Sequence, residues 1–358
     1  MAEGRAYNGS AYQAPAPMTP THHTVAIQQV HMILLGAQHR GIDTAPLLAR
    51  AGIAAALLES PLARVAQQQY ALLIRVLRRA LRDELWGMIS RPVRPGSFGQ
   101  CMKQLVRCAT LGEALRGGFA FYDLLVDDFV ARLSVRGELA QIHFVLRRES
   151  DPALDYCVKA FMLFTFGTAS WLVARRVPVL GVDYTAAQVG TDTSRVYQAP
   201  IHYGQPHVGL SFHAHWLDLP VVQTTQSARE FLAGAPANLI IKYRDTSSLT
   251  DRIRRLLRRR LGEELPSLEE VGETLAVTPQ TLRRRLREEG RGFQQIKDEL
   301  RRDAAIEFLT NTRLPLLDIA NEVGFSEAST FHRAFKNWTG VAPGEYRHSH
   351  AEGPQGQP

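Results

Sequence analysis

Leu268-Glu269-Glu270-Val271-Gly272-Glu273-Thr274-Leu275-Ala276-Val277-Thr278-Pro279 is echoed 48 positions later by Leu316-Leu317-Asp318-Ile319-Ala320-Asn321-Glu322-Val323-Gly324-Phe325-Ser326-Glu327. In each copy, apolar or small residues at i, i+3, i+4 and i+7 mark a short helix with one buried face. Ala276 or Gly324 takes the corner of a tight turn, and Thr278 or Ser326 stands where the N-cap of a second helix belongs. That order is how a protein presents a helix to the DNA major groove. Two copies in one chain predict that it reads two successive grooves.

The first copy carries the fuller set of local signals. Ser267 and Glu270 form a capping box, and Thr278 with Pro279 opens the next helix with an N-cap and a proline at its first position. Leu282 and Leu286, one turn apart, face the core. Gln280, Thr281, Arg283, Arg284 and Arg287 are then turned outward, and Arg and Gln suit base readout by forking onto guanine and adenine. Arg287 and Arg291 are expected on phosphate. In the second copy Phe331 and Phe335 form the core pair and Ser329, Thr330, His332, Arg333 and Lys336 are the outward candidates. Arg333 has a competing reading as an ion-pair partner of Glu322 or Glu327. Counted from Ser326, the cap-to-core spacing is one residue longer than in the first copy, which predicts asymmetric readout. Phe293, Ile296, Leu300, Ala304 and Phe308 space out one joining helix of roughly 17 residues, about 25 Å long at 1.5 Å per residue.

Upstream, Ser248 is the expected cap of a basic helix with Leu249, Ile253, Leu256, Leu257 and Leu261 inward. Arg254, Arg255, Arg258, Arg259 and Arg260 are expected outward, either as a solvated face or on phosphate, and Gly262 is expected to stop the helix. Residues 235–248 read as a linker, 1–20 and 348–358 as disordered tails. Residues 24–234 form a mixed domain. Helical periodicity covers Val25–His39, Ala45–Ala51, Val65–Leu85 and Asp151–Ala174, an apolar stretch runs from Gly96 to Cys108, and Thr110 caps Leu111–Leu115. Alternation at Phe129–Val135 and Ala140–Leu146 around Arg136-Gly137-Glu138 predicts a β-hairpin, and Val179–Thr185 and Val208–Phe212 read as extended. The expected fold is an α+β N-terminal domain followed by an all-α DNA-binding domain (249–347), whose two helix-turn-helix motifs are joined by a long helix.

The 358-residue chain has net charge +7 and 45% hydrophobic residues, enough for two or three domains with sizeable cores. The positive excess fits a nucleic-acid partner by placement rather than by total, since residues 249–348 hold 18 Lys/Arg against 16 Asp/Glu. Cys101, Cys108 and Cys157 are too few and scattered for a disulfide framework or a Cys-rich zinc site. The N-terminus lacks a secretory pattern. The uncharged run Ala160–Ala174 is shorter than the roughly 20 residues of a membrane span, so the expectation is a soluble cytoplasmic protein with no membrane partner.

Ile319-Ala320, Val323-Gly324-Phe325-Ser326, Ser329, Phe331, Arg333, Phe335-Lys336, Gly340, Pro343 and Tyr346-Arg347 together resemble the signature of the AraC/XylS transcription regulators. Ala342 departs from it, where the family usually has Ser or Thr. The resemblance implies a seven-helix module binding asymmetric promoter DNA through recognition helices at Pro279–Glu288 and Glu327–Trp338. It also implies an activator working with RNA polymerase. Thr110-Leu111-Gly112-Glu113-Ala114-Leu115, Tyr203-Gly204 with Val208, and Leu219-Pro220 resemble the ornithine-utilisation and quorum-modulator subgroup. Its N-terminal domain is taken to bind a small effector or to form a homodimer, so the resemblance implies that the α+β N-terminal domain is a sensor domain, and the helix-rich pattern does not look like a cupin barrel.

Enzymatic readings find little in the residues. His213 and His215, with His202 and His207 nearby, lack a carboxylate or cysteine that would complete a metal set, so no cofactor is expected. Phe161, Phe164, Phe166 and Trp171 serve either as core or as the lining of a pocket for a flat or apolar ligand. A Cys-based methyl acceptor fused to a similar DNA module is the competing enzymatic class, but it needs a metal-activated cysteine cluster. Effector-independent architectural binding is the third class, and it would discriminate little between sequences.

Overall fold

The computed structural model describes residues 24–186, 197–234, 249–289 and 291–351. The expected tail at 1–20, residues 352–358 of the tail expected at 348–358, the linker at 235–248 and the Ser248 cap lie outside the described residues, while 348–351 belong to the last helix and not to a tail. The chain opens with β1 (Thr24–Ala26) and α1 (Ile27–His39), then α2 (Ala45–Arg50) and a short 3-10 turn at Ala55–Glu59. β2 (Arg64–Ala66) pairs antiparallel with β1 and leads into α3 (Gln67–Leu81). Periodicity alone merges these two strands into the flanking helices, because three residues are too few to display alternation.

α4 (Ser97–Leu105) and α5 (Leu111–Asp123) follow, the latter capped as expected by Thr110, whose hydroxyl accepts from the Glu113 amide. β3 (Phe129–Arg136) and β4 (Leu139–Leu146) form the hairpin in full register from Phe129 opposite Leu146 to Arg136 opposite Leu139. After α6 (Pro152–Leu172) come β5 (Gly181–Asp183), β6 (Ile201–His202) and β7 (Val208–His213), giving a sheet of order β3-β4-β7-β5-β6. β3 and β6 end that order, so among the described residues the sheet is open. α7 (Thr225–Ala233) lies against α4. The two subgroup motifs meet in space: Thr110 bridges Pro220, and the Leu111 amide donates to the Leu219 carbonyl at 2.9 Å.

The C-terminal half is helical: α8 (Leu249–Arg258), α9 (Leu268–Leu275), α10 (Pro279–Glu288), α11 (Phe293–Asn311), α12 (Leu316–Glu322), α13 (Ala328–Thr339) and α14 (Pro343–Ala351). The joining helix α11 has 19 residues, about 28 Å at 1.5 Å each. Its two ends belong to different cores. Ile296 and Leu300 pack with Ile253, Leu257, Val271, Leu282 and Leu286 in the first helix-turn-helix half. Ala304, Ala305, Ile306 and Leu309 join Phe331, Phe335 and Tyr346 in an apolar core that runs on into the N-terminal domain.

That continuity rests on specific contacts. The Tyr346 hydroxyl donates to the Arg64 carbonyl at 2.7 Å, and the Ser60 hydroxyl donates to the Thr339 carbonyl at 3.0 Å. Asp303 on α11 is buried and accepts from the Thr24 hydroxyl at 2.6 Å, from Arg254 on α8, and from Arg302 Nη2 at 2.9 Å. Arg64 donates to Thr24 Oγ1 at 2.7 Å and to the Thr24 carbonyl at 2.9 Å, which ties β2 into the same network. Two of the expected outward arginines of α8 are therefore corrected: Arg254 is buried and Arg258 half-buried. Both lie on the flank of the Ile253–Leu257 stripe that α11 covers. Helix α8 also ends at Arg258, four residues before Gly262.

Candidate nucleic-acid interface and effector cavity

The first recognition helix begins as its local chemistry requires. Ser267 Oγ accepts from the Glu270 amide at 3.2 Å while the Glu270 carboxylate accepts from the Ser267 amide at 2.6 Å, closing the capping box of α9. Ala276 ends α9 in the left-handed region at φ 53°, as Gly324 does in the second copy at φ 81°. Thr278 Oγ1 accepts from the Thr281 amide at 3.3 Å and starts α10. Leu282 and Leu286 are buried beneath it. Gln280, Arg283, Arg284 and Arg287 are exposed and, at 3.6 residues per turn, share an arc of roughly 100°. Thr281 is a partial correction: it is half-buried, with its hydroxyl 2.9 Å from that of Thr278, so part of its hydrogen bonding is spent on the cap.

Arg283 pairs with Glu269 at 3.1 Å and Arg284 with Glu288 at 2.7 Å, both on the surface. Exposed pairs of this kind hold by a few tenths of a kcal/mol to about 1 kcal/mol, so either guanidinium is free to exchange its carboxylate for a base edge or a phosphate. Arg291 is a different case and corrects its assignment to phosphate: its side chain is buried and paired with Glu299 on α11. Glu289, which no sequence signal singled out, accepts from the amides of Leu249 and Thr250 at 3.0 Å each and so caps α8. Its partners lie 40 and 39 residues away in the chain, beyond the reach of any local motif.

In the second half, the helix starts at Ala328 with Glu327, not Ser326, in the N-cap position. From that cap, Phe331 lies four residues on, as Leu282 does from Thr278. The extra residue of the second copy therefore sits in the turn, and the expected difference in cap-to-core spacing disappears. Ser329, Thr330, His332, Arg333 and Lys336 are all exposed opposite the buried Phe331 and Phe335. Among the described residues Arg333 forms no ion pair, with Glu322 and Glu327 or otherwise. The two helices thus present equivalent positions with different side chains: Gln280, Arg283, Arg284 and Arg287 on one, Ser329, His332, Arg333 and Lys336 on the other.

The N-terminal domain contains an apolar cavity of about 130 Å³ between α3, α4, α5 and α6. Phe161 and Phe164 line it, while Phe166 packs on Tyr197 and Trp171 stacks on Phe231, which divides the four aromatics between lining and core. Trp86 lines the cavity from a loop organised by Asp83, whose buried carboxylate accepts from the amides of Leu85 at 3.0 Å, Gly87 at 2.8 Å and Val93 at 2.8 Å. Gly36 of α1 lets this loop approach, since a Cβ there would stand 2.0 Å from the Trp86 carbonyl oxygen. Cys101 also faces the cavity, with its thiol pushed up to about 12 chiefly by burial, and all three cysteines are unpaired.

Among the described residues no group of three or more His, Cys, Asp or Glu is placed to hold a metal ion. His213 and His215 stack on each other with ring centroids 5.7 Å apart, and His202 pairs instead with Asp183 at 2.9 Å. No described helix is long and apolar enough to cross a membrane.

Residues 41–221 match the arabinose-binding domain of AraC transcription regulators, and residues 271–349 match a helix-turn-helix domain. The ornithine utilization regulator of Pseudomonas aeruginosa is 24% identical over 334 residues, covering 92% of this chain and 98% of its own. The regulator VqsM of the same organism is 31% identical over 180 residues, 49% of this chain and 53% of its own. The crystal structure of the transcriptional regulator CdpR, also from Pseudomonas aeruginosa, is 16% identical with a TM-score of 0.29, covering 93% of this chain and 99% of that one. The relatives are regulators, not enzymes. With its N-terminal family model spanning half the chain and a helix-turn-helix model on the remainder, the protein belongs to the AraC family of DNA-binding transcription regulators.

Proposed function

We propose that this chain is a sequence-specific activator that reads an asymmetric promoter site with α10 and α13, and that a small effector sensed by the N-terminal domain modulates its DNA binding or its dimerisation. The working division is residues 24–234 for sensing and self-association, 235–248 as the joining segment, and 249–347 for DNA and RNA polymerase. The observation that carries the DNA reading is the matched outward arc on the two helices. Gln280, Thr281, Arg283, Arg284 and Arg287 face DNA from the first, and Ser329, Thr330, His332, Arg333 and Lys336 from the second. Modulation is supported by the contact of the second half with the N-terminal domain through Asp303, Thr24 and Arg64.

Footprinting the purified protein on DNA around its own gene locates the site. Arg284→Ala and Arg333→Ala should then each cost about 1–3 kcal/mol of binding, and chiefly on that site. Equal losses on random DNA would reassign these arginines to phosphate contacts. A footprint spread evenly over all DNA would replace the reading with architectural binding.

A further inference from the structure

We propose that the cavity between α3, α4, α5 and α6 is a binding site for a small apolar carboxylate, one with about a single ring or a short alkyl chain of hydrophobic bulk. The inference builds on the effector-sensing reading and names the site and ligand chemistry. The size comes first. A volume near 130 Å³ is close to that of an engineered apolar cavity, about 150 Å³, that takes up benzene. Ile74, Phe119, Phe161 and Phe164 supply flat and branched walls, so the body of the ligand is apolar.

Trp86 and Arg75, both on this lining, carry polar groups that have no partner among the described residues. Trp86 is buried to 4% exposure, yet its indole N–H donates to nothing among the described residues. A buried donor left unpaired is costly, and a ligand acceptor would satisfy it. Trp86 is also held in the left-handed region at φ 54°, a conformation that costs energy for a bulky side chain and marks functional loops. Arg75 of α3 lines the cavity half-buried, and among the described residues its guanidinium makes no hydrogen bond or ion pair.

The one carboxylate on the lining is already committed. Glu84 accepts from the Gly96 amide at 2.7 Å and the Phe98 amide at 2.8 Å, capping α4, and the Arg78 charge acts on it. The cavity thus offers the Trp86 N–H donor and the Arg75 cation, beside Arg78, with no uncommitted carboxylate among its lining residues, which together call for an oxygen-bearing anion. A cationic amino acid would find no free carboxylate here. The position also suits transmission. α3 continues directly from β2, and β2 packs on α11, the helix that joins the two DNA-reading halves.

The test uses the full-length protein with phenylacetate, octanoate, the neutral phenylacetamide and ornithine as probes, read by calorimetry and thermal shift. Phenylacetate or octanoate should bind and stabilise, while phenylacetamide and ornithine should bind at least roughly tenfold more weakly. Arg75→Gln and Trp86→Phe should each weaken carboxylate binding by about tenfold or more. Arg75→Gln keeps the fold in hand, because its side chain reaches the surface, should Trp86→Phe unfold the loop. Equal binding of phenylacetate and phenylacetamide, preference for ornithine, unchanged affinity in Arg75→Gln, or no binding of either carboxylate would each overturn the proposal. A carboxylate that binds through Arg75 without altering the footprint would refute effector modulation and leave the site standing. A footprint that responds to ornithine alone would do the opposite.

Discussion

Asp303→Ala should be among the most damaging single substitutions outside the apolar core. The Asp303 carboxylate is 4% exposed and accepts from Thr24, from Arg254 and twice from Arg302. Burial alone would raise its pKa, but the charges of Arg302, Arg254 and Arg64 and the Thr24 hydroxyl reverse this and hold it far below the ordinary carboxylate value. Arg302 can swing toward water when the carboxylate goes. Arg254 cannot, because its side chain is 10% exposed and its other acid, Glu299, stands 3.7 Å away. The dominant cost is the buried Arg254 charge deprived of its nearest carboxylate, about 3–5 kcal/mol, a large share of a typical folding stability of roughly 5–15 kcal/mol. Asp303→Asn, which keeps an acceptor, should lose about half as much. Urea unfolding followed by circular dichroism and by tryptophan fluorescence reads both quantities. The two probes should also cease to coincide in Asp303→Ala, because Thr24 no longer ties the N-terminal domain to α11. The double variant Arg254→Met with Asp303→Leu removes both charges and should recover most of the stability. A loss below about 1 kcal/mol in the single variant, or a double variant no more stable than the single, would refute the argument from a buried charge deprived of its nearest carboxylate.

Three further outcomes follow from the same structure. Asp303, Asp128 and Asp151 all have pKa values lowered in the fold, Asp128 and Asp151 because hydrogen bonds with Arg148, Ser90 and the Leu154 amide outweigh desolvation. Their contribution is complete above the unfolded carboxylate value, about 4, and is lost as pH falls below it; the urea midpoint should drop over that acid range, and less steeply in Asp303→Ala. Ala276→Gly should raise stability by roughly 1 kcal/mol by relieving the left-handed alanine at the turn of the first motif, measurable as a higher urea midpoint with unchanged slope. Gly340→Ala should destabilise by about 2 kcal/mol or more, since its φ is +75° and a Cβ would stand 2.3 Å from Ser60 Oγ. Adding Ser60→Gly should recover only the part due to the clash, which thermal melts of the three proteins would separate.

The elements legible in the sequence are those whose signal is local. The capping box at Ser267, the cap at Thr278, the β3–β4 hairpin and the core pairs of both recognition helices depend on residues within a few positions of one another, and each is where the pattern puts it. Where residues separated by long stretches of chain decide, the pattern misleads. Arg254 and Arg291 read as basic surface until Asp303 and Glu299 pair with them. The short strands β1 and β2 need each other to exist, and Glu289 caps a helix that begins far upstream.

What the sequence by itself determined is therefore the machinery for DNA: two short helix-turn-helix units, their buried and outward faces, and the long helix joining them. Periodicity and capping are short-range chemistry, and they survive in the sequence as spacing. Only the tertiary structure decided that the two units are not equivalent, the first closing its own core and the second sharing one with the N-terminal domain. It alone placed an unpaired indole N–H and an uncommitted arginine on one small apolar cavity. Burial and charge pairing are properties of the whole chain folded on itself, because desolvation depends on every segment that covers a group and not on its neighbours in sequence.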